Sequence, residues 1–182
     1  GQSVRPFLPA ILKKSIPERA KLTKVWPAAR HARKMFVLDG CVQPALAPNI
    51  NIASASVLDK LGISLVKTAN AGCCGAVAYH LNDQQDGLNY MRRNIDAWWP
   101  LVEKKEVEAI IVTASGCGVT VKEYGHLLRY DSVYAGKAAT ISTLAKDISE
   151  ILHAELGNLQ HLFSQKHTAL KTKLSFHSPC TL

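Results

Sequence analysis

ISLVKTANAGCCGA, residues 63–76, is the stretch on which the reading of this chain turns. Its first seven residues make a β-rich run, and the run gives out at two adjacent cysteines fenced by Gly72 and Gly75. A disulfide between sequence neighbours closes a strained eight-membered ring. A buried apolar pair has no need of glycine on either side. A strand that delivers Cys73 and Cys74 into a tight turn therefore asks where the remaining cysteines fall.

Working outward, apolar runs and helical patterns alternate. On the N-terminal side, KMFVLDGC (34–41) is a short strand stopped by Asp-Gly, and residues 49–61 read as a helix. Asn49 is its expected cap, and Ile50, Ala53, Val57, Leu58 and Leu61 its apolar face. On the C-terminal side, residues 82–105 form a long helix with a stripe of Leu88, Met91, Ile95, Trp98 and Trp99, which Pro100 is expected to bend or end. EAIIVTASGC (108–117) is the most continuous strand, with a helix from VTVKEYGHLL (119–128) directly after it. Residues 137–156 carry Ile141, Leu144, Ala145, Ile148, Ile151 and Leu152 at helical spacing, and KLSFHSPC (173–180) opens a further strand. Strands separated by helices imply crossover connections and a parallel sheet. The fold class is α/β, a Rossmann-like parallel sheet of about four strands with flanking helices. No Gly-x-Gly-x-x-Gly stands at a strand-to-helix turn, so a dinucleotide is not indicated.

On this reading Cys41 follows the first strand, Cys73 and Cys74 the second, and Cys117 the third. The C-terminal ends of parallel strands share one edge, where ligands bind. Four thiols distant in sequence are thus carried to one rim, with Gly72 and Gly75 letting the backbone turn and Gly40, Gly116 and Gly118 giving the same freedom beside the others. Four convergent thiolates select soft metals, either an iron–sulfur cluster or tetrahedral zinc. Two other readings remain: small buried hydrophobes, or a nucleophilic thiol, for which one cysteine would alkylate far faster than the rest.

The bulk properties agree with a folded chain outside the membrane. Of 182 residues, 47% are apolar and 20% charged, which excludes a disordered polyelectrolyte. There is no apolar run of membrane-spanning length and no signal-like apolar region at the start. An odd count of five cysteines fits a reducing compartment better than a disulfide framework. The net charge of +8 sits wholly in residues 1–36, which hold nine Lys/Arg and one Glu together with Pro6, Pro9, Pro17 and Pro27. This arm is expected to be a linker that docks on a partner subunit or, as second choice, an anionic membrane surface. No aromatic pattern accompanies the charge, so nucleic acid is not an expected partner.

DGCVQP, AGCCGAVAYHLN, RNIDAWWP, TASGCGVTVKEYG and FHSPCTL resemble the cysteine-rich CCG-domain family, and within it the iron–sulfur subunits of bacterial glycolate oxidases. Heterodisulfide reductase and lactate-utilisation subunits are its wider relatives. The family pattern is a Cys, a gap, Cys-Cys-Gly, a further gap and Cys-x-x-Cys; here Ala114 stands where the first Cys of the last pair would be. The resemblance implies Cys41, Cys73, Cys74 and Cys117 as cluster ligands. With one thiol missing it leaves a four-cysteine [4Fe–4S] cluster, zinc, or no metal. It also implies a division into a basic proline-rich arm (1–34), a first CCG domain (35–172) and the start of a truncated second one (173–182), opened by Cys180. The implied activity is that of a subunit of a glycolate oxidase complex, an oxidoreductase in which flavin-containing subunits oxidise glycolate to glyoxylate. Electrons would pass through this subunit towards a quinone acceptor, in the cytoplasm or at the inner face of the cell membrane, and this stretch alone would have no activity. The alternative is a non-redox scaffold that joins subunits around zinc or an empty cysteine site.

A few other residues carry weaker signals. His80 and His177 could supplement a metal site, although hydrogen-bonded histidines are the commoner case. Lys122 and Glu123 read as a solvated face, Tyr124 as core, and Trp98 and Trp99 as packing. Asp39, two before Cys41, would add negative charge beside that thiol.

Overall fold

The computed structural model describes residues 25–164 together with residues 7–9, 12, 22, 173 and 175. Most of the basic arm, His177, Cys180 and nearly all of the expected strand at 173–180 lie outside the described residues. In chain order the elements are β1 (Arg33–Val37), α1 (Gln43–Leu46), α2 (Pro48–Lys60), β2 (Ile63–Lys67), α3 (Ala76–His80), α4 (Gln84–Val102) and β3 (Ile110–Val112). There follow α5 (Ser115–Lys122), α6 (Tyr124–Leu127), α7 (Ala135–Leu144), β4 (Ala145–Asp147), α8 (Ile148–Ala154) and α9 (Leu156–Ser164).

The strands pair in the order β2-β1-β3-β4, every pair parallel. Phe36 of β1 stands opposite Val66 of β2 on one side and Ile110 of β3 on the other. Alternate residues supply two cores, as the period of an extended chain requires. Phe36, Leu38, Ile110 and Val112 face α4 to α7 through Met91, Ile95, Trp98, Val121, Tyr124 and Ile141. Met35, Val37, Ala109 and Ile111 face α2 and α8 through Ala55, Leu58 and Ile151. The β1-to-β2 connection moves one way across the sheet with its helix on the second face. Both later connections move the other way with their helices on the first face. All three crossovers therefore share one hand. The direction of strand addition reverses between β1 and β3, which makes this the switch point of the sheet.

The α/β architecture matches the expectation, and several local expectations are corrected. In α2 the inward face is Asn51, Ile52, Ser54, Ala55 and Leu58, whereas Ile50 and Val57 are 47% and 39% exposed. Counting apolar residues picked the wrong side because the inward face carries Asn51 and Ser54. Nor does Asn49 cap this helix: Ala47 stands at the cap without a side-chain bond, and Pro48 opens the first turn. The long helix runs through Pro100 to Val102. The strand expected over 108–117 is only Ile110–Val112, because α5 already begins at Ser115. The helix expected over 137–156 is interrupted by β4, whose Ala145, Lys146 and Asp147 pair with Ile110, Ile111 and Val112. Three residues are too few to break a helical apolar pattern that continues on both sides.

Residues 25–34 also join this body. The Trp26 indole N–H donates to the Leu65 carbonyl at 3.0 Å, and Lys67 Nζ sits 4.5 Å from the ring centroid. Arg30 and His31 both bond Asp59 on α2. Among the described residues no helix is long and apolar enough to cross a membrane.

Candidate metal centre

Three connections at the C-terminal edge of the sheet carry the cysteines. β1 continues through Leu38 and Asp39 to Gly40, whose φ is +73°, and then presents Cys41. β2 leads through Asn70, itself at φ +72°, to Gly72, Cys73 and Cys74. Cys117 is the third residue of α5 rather than the end of β3, so a helical turn and not a strand terminus aims it. The four remain free thiols of graded exposure: Cys41 exposed, Cys73 and Cys117 half-buried, Cys74 buried.

They meet. Cys74 Sγ and Cys117 Sγ are 3.1 Å apart and hydrogen-bonded. Cys73 interacts with Cys74 on one side and with Cys41 on the other. Bonding to Cys117 brings the Cys74 pKa down to about 6, helped by N–H donors of Ala76 and of Cys74 itself and opposed by burial. The proton then belongs to Cys117, whose pKa is pushed up by its bond to Cys74 and by burial. Burial, and then the Cys41 side chain, raise Cys73, while the Gly75 N–H counters them.

Of the five glycines beside the cysteines, two act through their dihedrals. Gly40 adopts positive φ, and Gly75 does so at +90° as the N-cap of α3. A Cβ on Gly75 would also stand 2.5 Å from the Gly87 carbonyl oxygen of α4. Gly116 and Gly118 lie within α5 at ordinary helical φ, and Gly72 also has no positive φ, so the freedom expected of these three is not used. What Gly72 provides is room: a Cβ there would lie 3.1 Å from Arg93 Nη2.

A polar scaffold lies beneath the thiols, and sequence reasoning did not single it out. Asn94 is fully buried on α4; its Oδ1 accepts from the Gly72 N–H (2.8 Å), and its Nδ2 donates to the Cys73 carbonyl (2.8 Å) and to Tyr124 Oη (3.0 Å). Tyr124 Oη donates in turn to the Cys74 carbonyl at 2.8 Å, and burial pushes its pKa up. An asparagine on the inward stripe of a helix, at 91, 94, 95 and 98, is the signal that could have revealed it. A second network joins Asp39, Gln43, Asn51 and Thr113. Asn51 Oδ1 accepts from Gln43 Nε2 and Thr113 Oγ1, and Asn51 Nδ2 donates to Asp39 Oδ1. Asp39 also accepts from Lys67 Nζ at 2.6 Å, so its charge is paired rather than left beside Cys41.

His80 closes α3 with its ring edge-on to Tyr79. Lys122 bonds Glu150 at 2.6 Å, and Glu123 is exposed. Trp98 is fully buried core, whereas Trp99 is half-buried beneath Lys137 Nζ.

The donor set is all sulfur, which suits a soft metal. It is not a closed cage for one ion. Among the described residues no group of three or more His, Cys, Asp or Glu is arranged to hold a single metal ion. Two thiolates on one tetrahedral zinc, each about 2.3 Å from it, stand roughly 3.8 Å apart. Cys74 and Cys117 at 3.1 Å would have to separate to bind that way.

Comparison with known proteins places this geometry. Over its full length the chain is 49% identical to the glycolate oxidase iron–sulfur subunit of Escherichia coli K12, covering 43% of that protein. It is 30% identical over 152 residues to a probable glycolate oxidase iron–sulfur subunit of Bacillus subtilis, which is 82% of this chain and 32% of that one. It is 24% identical over 148 residues to lactate utilization protein A of Bacillus pumilus, 81% of this chain and 57% of that protein. The chain thus spans less than half the length of the glycolate oxidase subunits it matches. Residues 35–122, which carry all four gathered thiols, match the family described as cysteine-rich domain, CCG.

Proposed function

We propose that the chain is the electron-transfer portion of an iron–sulfur subunit in a glycolate-oxidising complex, with Cys41, Cys73, Cys74 and Cys117 holding a [4Fe–4S] cluster. The observation that carries this reading is the convergence of four free thiols from three connections at the switch point of a parallel sheet. A polynuclear cluster offers separate irons to separate thiolates, so donors strung along a rim suit it better than they suit a single ion. When bound, such a cluster supplies reversible one-electron chemistry. The chain's own part is to aim the sulfurs and to exclude water from Cys74 while leaving Cys41 open to the outside. Flavin-containing subunits that oxidise glycolate to glyoxylate would be the donor. The acceptor side would be quinone, reached from the inner surface of the cell membrane. Sequence identity to glycolate oxidase iron–sulfur subunits supports the place in a glycolate-oxidising complex.

The test is anaerobic reconstitution of the chain with iron and sulfide. A brown protein with broad visible absorption and matched iron and sulfide is expected. Ser at position 41, 73, 74 or 117 should each remove most of the bound iron. A colourless chain that retains zinc and takes up no iron would overturn the proposal in favour of a structural role.

A further inference from the structure

We propose that Asn94 and Tyr124 are positioning residues that aim backbone N–H groups at the Cys73 and Cys74 sulfurs by holding the opposite ends of the same peptide planes in the core. A trans peptide points its C=O and its N–H in opposite directions. Asn94 Nδ2 fixes the Cys73 carbonyl inward at 2.8 Å, and the N–H of that peptide, belonging to Cys74, is directed to the Cys74 sulfur. Tyr124 Oη fixes the Cys74 carbonyl inward at 2.8 Å, and the N–H of that next peptide, belonging to Gly75, bonds the Cys73 sulfur. Asn94 Oδ1 anchors the start of the loop through the Gly72 N–H. The amide and phenol also bond each other at 3.0 Å, so neither can turn without the other. Both residues are wholly buried and touch no sulfur through their own polar atoms, so they act through the backbone.

For the function, the inference rests on the iron–sulfur reading. N–H donors to cluster sulfurs stabilise the more negative, reduced state and raise its potential. For the geometry, it rests on the loop alone, and the two can fail separately.

The experiment therefore has two arms on the 182-residue chain. In the reduced, metal-free chain, Tyr124→Phe should exchange the Gly75 amide about tenfold faster, the loss of one ordinary hydrogen bond. Asn94→Asp, which keeps the acceptor for Gly72 and loses both donors, should do the same at the Cys74 amide. Trp99→Phe, on the same helix without a bond to the loop, should leave both rates unchanged. In the reconstituted chain both loop variants should retain iron and sulfide but titrate at a more negative potential. Equal amide exchange in the variants and the parent overturns the relay whatever the metal content. Faster exchange with no iron uptake by the parent leaves the relay standing and overturns the iron–sulfur reading. Should Tyr124→Phe fail to fold, Asn94→Asp decides through its own amide.

Discussion

Gly75 meets two demands that no other side chain satisfies. Its φ of +90° is open chiefly to glycine, and the vacant Cβ position lies 2.5 Å from a backbone oxygen that cannot swing aside. Gly87, its neighbour across the contact, is nearly as confined: a Cβ there would stand 2.8 Å from the Tyr79 Cβ and 2.9 Å from the Tyr79 backbone nitrogen. The two glycines let α3 lie against α4, and that contact holds the Cys73–Cys74 turn over Asn94. Gly75→Ala should cost about 2 kcal/mol or more in urea denaturation. It should also loosen the turn, read as faster alkylation of Cys74, which is only 3% exposed in the parent. That Gly75 matters was legible from its place beside the cysteine pair. That it is pressed against Gly87 was not, because eleven intervening residues hide the contact.

Among the elements, β4 shows how little sequence a strand needs when its partner already exists. Ala145, Lys146 and Asp147 have no β character of their own, yet they continue the sheet beyond β3. The strand ends where Asp147 caps α8: its side chain accepts from the Ser149 N–H at 2.8 Å, and Glu150 accepts from the Asp147 N–H at 2.8 Å. This capping box halts the strand and starts the helix on the same residue. Asp147→Ala should lower stability by about 1 kcal/mol, measured by thermal unfolding, while Asp147→Asn should keep most of the cap. In α4, Asp83 plays the corresponding part through the Asp86 N–H, and the helix tolerates Pro100 close to its end.

Across the whole molecule, Arg33 ties the opposite edge of the sheet together. From the start of β1 it donates to Glu108 ahead of β3 at 2.8 Å and to Glu155 beyond α8 at 2.7 Å. Asn158 first, and then Arg33, hold the Glu155 carboxyl below its ordinary value of 4.5. A depressed carboxylate adds stability above its unfolded pKa and loses it as pH falls through the folded one. Arg33→Met should therefore cost about 1 kcal/mol at pH 7. The deficit should shrink below about pH 4, where the Glu155 carboxylate takes up its proton. Equal destabilisation at pH 7 and pH 3 in urea titrations would show that the loss is one of packing instead. The Arg33 clamp and the candidate centre thus occupy opposite ends of the strands.

The sequence by itself determined the fold class, the first two strands, and the delivery of four thiols to one rim. Those properties follow from local runs and from the rule that parallel strands end on a common edge. The tertiary structure decided which face of α2 points inward, that residues 145–147 pair as a strand, and that Cys117 reaches the rim from a helical turn. It also decided that Asn94 and Tyr124, 30 residues apart, share one hydrogen bond beneath the cysteines. The reason is physical. Apolar periodicity reports what a segment can bury, whereas polar residues such as Asn51 and Asn94 are buried only because partners from other elements satisfy them.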